Sequence, residues 1–357
     1  MASDEHTVFV FGAGASLAEA VARRPKRRAE HPPLDSTFFR RVAEHRRSPL
    51  FNRVEAQARR LGFANLVAET PPTRLETYLG RLFFEINHNP LSASVRAYFE
   101  ALELYAREVT MTTNWMMQKA GLIRKVIQAE LRAGCRVSVI TFNIDLLLEN
   151  TLNRLSNSRP AAAWSLDSAY GFSNSPPMLH GTSSAFGDPF PVNRSPSEIL
   201  LYKMHGSLNW VFKHRDPYPP ADLVTKDRQM YLLNHQELPD SRVTVTTRTG
   251  GRPWYSFPLI VPPVYEKHAF IRRHLQEVWD GATQALDTAT RVVFWGYSFP
   301  LADAHARHFF QARAQTNNAL HRPVVINPDP QLAPTVWEVL RPRQIEQFRS
   351  AEEYLAD

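Results

Sequence analysis

The stretch Val8-Phe9-Val10-Phe11-Gly12-Ala13-Gly14-Ala15-Ser16 decides how the rest of the chain is read. Four apolar residues in a row fit a short strand buried on both faces. Two glycines then let the backbone turn tightly, and a helix is expected from Ala15. Such a turn gathers unpaired N–H groups and the positive end of the helix dipole at one point, which suits a phosphate. The dinucleotide fingerprint is incomplete, because Leu17 stands where a third glycine belongs. No acidic residue closes a second strand at the usual distance either. By itself the stretch is equally a strand-to-helix turn without a ligand.

A chain of 357 residues holds one large domain with insertions, or two domains. Its hydrophobic fraction of 43% and charged fraction of 22% are those of a soluble globular protein. The single cysteine, Cys135, excludes a disulfide framework and any multi-cysteine zinc site, and is compatible with a cytoplasmic home. It opens the apolar run Cys135–Ile140 and reads as a structural thiol. No apolar run approaches the ~20 residues of a membrane span. Asp4 and Glu5, with a strand close behind, do not read as a secretory leader. The formal charge of +7 suits anionic ligands, but the basic residues are scattered except at Arg23, Arg24, Lys26, Arg27 and Arg28. That run reads first as a solvated loop and second as a polyanion contact, and direct nucleic-acid binding is not expected.

From Leu34 to Leu131 the periodicity is helical. Phe38, Phe39 and Val42 recur at helical spacing, as do Leu75, Tyr78, Leu79, Leu82, Phe83 and Ile86. Trp115 to Ala133 reads as one further helix. At Arg136–Thr141 the pattern turns β-branched and ends on Phe142-Asn143-Ile144-Asp145, with a leucine-rich helix behind. Residues 156–197, rich in Ser, Pro, Asn and Gly, read as irregular. Ile199–Met204 leads into His205-Gly206-Ser207. Met230–Leu233 and Val243–Thr246 are weaker strand patterns, and Leu259-Ile260-Val261-Pro262-Pro263 ends another short strand. His268–Leu286 is helical. Val292–Trp295 meets Gly296-Tyr297-Ser298, a helix starts near Asp303 with that residue as its cap, and Val324–Ile326, the last clear strand, ends at Asn327. Val336–Leu340 and Glu352–Leu355 read as closing helices. Strands alternating with helices imply an α/β fold, a Rossmann-like, mostly parallel sheet with helices on both faces. The expected layout is a single domain over 1–357. Its core comes from 1–22, 134–157, 198–212 and 256–357, with a helical insertion at 23–133 and irregular or β insertions at 158–197 and 213–255.

Four polar sets sit where a strand meets the next segment: Gly12–Ser16, Asn143 with Asp145, Gly296 with Ser298, and Asn327 with Asp329. His205-Gly206 follows a fifth strand. Open α/β sheets place ligands at such carboxyl ends, so all five are expected to converge. For Asn143 and Asp145, capping of the following helix is the competing reading, and it is compatible with ligand binding.

In these ordered motifs, Gly12-Ala13-Gly14-Ala15-Ser16, Thr141-Phe142-Asn143-Ile144-Asp145, His205-Gly206-Ser207, Gly296-Tyr297-Ser298 and Ile326-Asn327, the chain resembles the sirtuin (SIR2) superfamily. It looks most like the SIR2-like domains of bacterial antiphage defence proteins. The resemblance implies NAD+ as substrate. Gly12, Ala13, Gly14 and Ser16 would take the pyrophosphate. Thr141, Asn143 and Asp145 would border the ribose and the nicotinamide amide, and His205 would be the general base. Gly296 and Ser298 would meet ribose or phosphate, and Asn327 the adenosine half. Asn143 and His205 are the catalytic candidates. The family's deacylases hold a zinc ion with four cysteines, and no metal is expected here. They also pair a strand with an acyl-lysine peptide where this chain has Val261-Pro262-Pro263-Val264, and proline lacks the needed N–H. The resemblance therefore implies an NAD+ glycohydrolase acting as a defence effector, with an NAD-dependent deacylase or ADP-ribosyltransferase as the alternative. It implies control by homo-oligomer formation or by a partner such as a HerA-type ATPase or an Argonaute-like protein.

Overall fold

The structure is a computed structural model. It describes residues 5–24, 26–45, 47–63, 65–67, 73–88, 92–118, 121–158, 164–166, 168–173, 176–179, 197–214, 229–233, 244–245, 254–261, 268–301 and 303–357. In chain order, β1 (His6–Phe11) and α1 (Ala13–Arg23) are followed by α2 (Phe38–His45), α3 (Pro49–Arg60), α4 (Leu75–His88), α5 (Ser92–Thr113) and α6 (Leu122–Arg132). Then come β2 (Arg136–Thr141), α7 (Leu147–Ser158), β3 (Met178–Leu179), β4 (Leu200–Lys203), β5 (Gly206–His214), β6 (Met230–Leu233), β7 (Thr244–Val245) and β8 (Trp254–Ile260). The chain closes with α8 (His268–His274), α9 (Gln276–Asp287), β9 (Arg291–Trp295), α10 (Ala304–Ala314), β10 (Val324–Ile326), α11 (Leu332–Leu340), β11 (Glu346–Phe348) and α12 (Ala351–Ala356).

Six strands form one sheet in the order β11-β10-β9-β1-β2-β4, and every pairing in it is parallel. Counted along the chain these strands run 3-2-1-4-5-6 across the sheet, the doubly wound Rossmann-like order, which reverses direction between β1 and β9. All six residues of β1 are buried, so both faces of the sheet are covered at its centre. The apolar runs read as strands at Val8–Phe11, Val137–Ile140, Val292–Trp295 and Val324–Ile326 all lie in this sheet.

The helices α2 to α6 form the insertion between β1 and β2. Its aromatic residues build a core by edge-to-face contacts, Phe39 on Tyr78 and Phe63 on Tyr78 among them. One contiguous cluster of buried apolar side chains runs from the sheet into this insertion. A second, five-stranded sheet has the order β3-β6-β5-β8-β7, with β5 antiparallel to both β6 and β8.

Several elements differ from the sequence expectation. Trp115–Ala133 is not one helix: a 3₁₀ turn at Asn114–Gln118 precedes α6, which starts after Gly121. The buried carboxylate of Glu19 on α1 accepts the Ile123 N–H at 2.9 Å, so α6 is capped by a side chain more than 100 positions away. Segments 206–212 and 256–260, expected in the core, pair with each other in the second sheet instead. His268–Leu286 is two helices, broken at Leu275. The edge strand β11 has no apolar run, and two of its three residues are exposed. The basic run is not merely solvated: Arg23 pairs with Glu19, Arg24 and Arg27 pair with Glu30, and Arg24 stacks over Trp115. Pro262 and Pro263, Val243 and Thr246, and much of 156–197 lie outside the described residues.

Candidate active site at the carboxyl edge of the sheet

Because the sheet is wholly parallel, β1, β2, β4, β9 and β10 deliver Gly12, Asn143, His205, Gly296 and Asn327 to one edge. At the strand-order reversal the turns after β1 and β9 touch. Gly12 N–H donates to Trp295 O and Gly14 N–H to Gly296 O, both at 3.0 Å. Gly296 has φ +65°, and a methyl group there would lie 2.2 Å from Ala15 N. A methyl on Gly12 would lie 2.5 Å from Gly296 O. These glycines are thus explained by backbone-to-backbone contact. Gly12 caps α1 with no side-chain hydrogen bond, and Ala13 at its first position is exposed, so among the described residues no side chain caps the helix's positive end.

On the next strand, Asn143 is clamped. Its Nδ2 donates to Gly12 O at 3.0 Å and to Ser16 Oγ at 3.1 Å, and Ser16 Oγ donates to Asp145 Oδ2 at 2.8 Å. The Gly12 carbonyl only accepts, which fixes the amide's orientation. Both Asn143 amide protons are committed, and its Oδ1 accepts nothing from the described residues. Asp145 Oδ1 accepts from Leu147 N–H at 3.0 Å, so this residue does start the following helix. Burial pushes the Asp145 carboxyl above the ordinary carboxylate range, against the opposing pull of Lys203 and of the hydrogen bonds from Leu147 and Ser16. Thr141 is fully buried, donating to Phe11 O and accepting from Asn143 N–H. Thr141 and Ser16 therefore brace Asn143, and Asp145 braces Ser16. Asn143 keeps 9% exposure.

His205 ends β4's extension, its carbonyl accepting from Val261 N–H at 2.9 Å. Its Nε2 lies 2.8 Å from Asp303 Oδ2, a contact short in distance but poorly aligned as a hydrogen bond. The Phe142 ring meets His205 edge-on at 5.1 Å and stacks on Tyr297 at 4.3 Å. Asp303 also caps α10 through Oδ1, which accepts Ala306 N–H at 3.1 Å. Capping was the expected role, and the histidine contact is the addition. Phe299, between Gly296 and Asp303, has φ +50°, a conformation that costs a bulky residue roughly 1–3 kcal/mol. Arg307 holds it by donating to the Phe299 carbonyl at 3.0 Å.

Ser298 is exposed and Asn327 half-buried, its Oδ1 accepting Asp329 N–H at 2.9 Å. Both sit on the same edge as the Gly12 turn, but the structure does not bring them onto Asn143 or His205 as it brings Gly12 and Asp303.

Below the edge lies a network that the sequence did not reveal. Lys203 and Glu149, both fully buried, pair at 2.7 Å. Lys203 also donates to the carbonyls of Ile144 and Asp145. Tyr170 OH donates to Glu149 Oε1 at 3.0 Å, and Asn209 Nδ2 to Tyr170 OH at 3.1 Å. Lys203 thus ties the loop carrying Asn143 to the strand carrying His205. The available signal was a charged residue inside the apolar run Ile199–Met204.

Fold and edge together define a doubly wound α/β protein with a clamped amide and a carboxylate-paired histidine at the reversal of strand order. No protein-family model and no curated sequence matches the chain. Among solved structures, one described as "Structural Basis for the Mechanism and Regulation of Sir2 Enzymes" is similar at 15% identity and a TM-score of 0.37, over 99% of this chain and 90% of that one. A likeness that loose says nothing about chemistry, which has to be read from the chain's own residues.

Proposed function

We propose that the chain is an NAD+ glycohydrolase, releasing nicotinamide and ADP-ribose. The observation that carries the reading is the arrangement at the carboxyl edge: an asparagine whose donors are spent on Gly12 and Ser16, and a histidine held against Asp303. In the reaction the C1′–N bond breaks with its electron pair going to nicotinamide, leaving an oxocarbenium-like ribose. Water adds to C1′. His205 accepts its proton, and Asn143 Oδ1 accepts a hydrogen bond that fixes the water or a ribose hydroxyl. A positioned base of this kind contributes ~10²–10⁴-fold. The N-terminus of α1, where Ala13 is exposed, faces the pyrophosphate, with Gly296 and Ser298 at ribose or phosphate and Asn327 at the adenosine half. Asp145 and Thr141 act through Asn143.

Defence by NAD+ depletion, and control of the activity by oligomer formation or by a partner protein, belong to the same proposal and rest on the sequence resemblance. Among the described residues no group of histidine, cysteine and carboxylate side chains is placed to hold a metal, and none is invoked. No described helix is long and apolar enough to cross a membrane.

The test is to incubate the full chain, alone and oligomerised, with NAD+ and quantify products by liquid chromatography, with and without an acylated peptide. Nicotinamide and ADP-ribose in equal amounts without peptide are expected. Nicotinamide release that requires the peptide would replace hydrolysis with the deacylase or transferase reading.

A further inference from the structure

Asp303 and His205 meet although their strands are not neighbours. Asp303 follows β9 and His205 follows β4, and β1 and β2 lie between those strands. Three inter-strand steps of ~4.8 Å separate them by roughly 14 Å, so Asp303 lies well across the carboxyl edge from the end of β9. The crossing is built. Gly296 O holds Gly14 N–H, Tyr297 stacks on Phe142, and the Phe299 carbonyl is held by Arg307. At its end Asp303 is fully buried, with one oxygen on the α10 cap and the other 2.8 Å from His205 Nε2.

A cap alone needs neither feature. Ser350 caps α12 and Ser48 caps α3 by the same bond to a backbone N–H, and both stay half-buried. We propose that Asp303 is a positioning residue for His205. The carboxylate charge beside Nε2 favours the tautomer protonated there and leaves Nδ1 as the nitrogen that carries the lone pair. This rests on His205 being the base of the reaction proposed above. The tautomer itself can be read without any turnover.

Asparagine caps a helix as well as aspartate does. Asp303→Asn therefore keeps α10 anchored and removes only the charge facing His205. Asp303→Ser, which also caps, serves as the second variant should the first fold poorly. Two readouts are needed. The first is ¹⁵N NMR of histidine-labelled full chain, with the His205 signal assigned by its loss in His205→Gln. The second is the kcat and KM of NAD+ cleavage.

The expected result is the Nε2-protonated tautomer in the unaltered protein, lost in Asp303→Asn. A fall in kcat on the order of 10²-fold is expected, with KM changed less than about threefold and an unchanged thermal midpoint. A His205 protonated on Nδ1 in the unaltered protein, or the same tautomer and kcat in both cap-preserving variants, would overturn the inference and reduce Asp303 to a cap. Should the unaltered chain cleave no NAD+ under any condition, the glycohydrolase reading fails, while the tautomer comparison still decides the role of Asp303.

Discussion

Asn143 Nδ2 and Gly12 O are joined by a 3.0 Å hydrogen bond, which locks the loop after β2 onto the turn after β1. Because Ser16 Oγ takes the other amide proton, the carboxamide is fixed in one orientation before any ligand arrives. That preorganisation is the property a water-positioning amide needs, since it costs no rearrangement at the moment of reaction.

Asn143→Ala removes both bonds and leaves Gly12 O, among the described residues, with the Ala15 N–H as donor. It is expected to lower nicotinamide release by at least ~10²-fold. The lost bonds should cost about 1–3 kcal/mol of stability, read by urea unfolding. Asn143→Asp places a carboxylate against the Gly12 carbonyl and should be the less stable of the two.

The two turns at the strand reversal are held apart only by hydrogen atoms. Gly296→Ala forces a methyl to 2.2 Å from Ala15 N at φ +65°. Gly62→Ala is the control, because Gly62 has φ +87° and nothing within 4 Å of its added methyl. The control should cost only backbone strain of about 1–2 kcal/mol, whereas Gly296→Ala should lose considerably more and lower NAD+ affinity. Equal thermal midpoints for the two variants would contradict the contact.

Much of this was legible in the chain. Buried central strands advertise themselves by continuous apolar runs, so Val8–Phe11 and Val292–Trp295 were placed correctly. Each was followed by the polar residues that a parallel sheet gathers on one edge. The residues not legible were those whose partner is distant in sequence. The Glu19 cap on α6, the Lys203–Glu149 pair and the contact of Asp303 with His205 each join segments that no periodicity connects. Edge strand β11 was invisible because an exposed strand of three residues needs no apolar pattern. Thr141, Ser16 and Asp145 bond to one another's loops and to Asn143, and which of a loop's polar residues faces outward is set by packing, which periodicity does not show.

The buried pair below the site gives a third test. Lys203→Met removes the cation from the buried Glu149 carboxyl and leaves it, among the described residues, the hydroxyls of Tyr170 and Ser207 as donors. A loss of about 3–5 kcal/mol is expected from the urea midpoint. The double variant Lys203→Met, Glu149→Gln should recover a substantial part of that stability, since no unpaired charge remains.

Stability should also respond to pH through His6. Its imidazole is lowered from the ordinary 6.5 to about 4, first by burial and then by the charge of Arg136. The unfolded chain therefore binds the proton more readily than the folded one. The contribution is present in full above about 6.5, and is lost as pH falls from there through about 4. His6→Gln should flatten the unfolding free energy over that window relative to the unaltered protein. Parallel pH profiles for the two would contradict it.

The most direct measurement of the central claim is nicotinamide release from NAD+ by the purified chain beside Asn143→Ala and His205→Ala, each checked for an intact thermal transition. Release without an acceptor by the unaltered protein, and its loss in both folded variants, is the predicted result. Turnover that survives in a folded His205→Ala would contradict it.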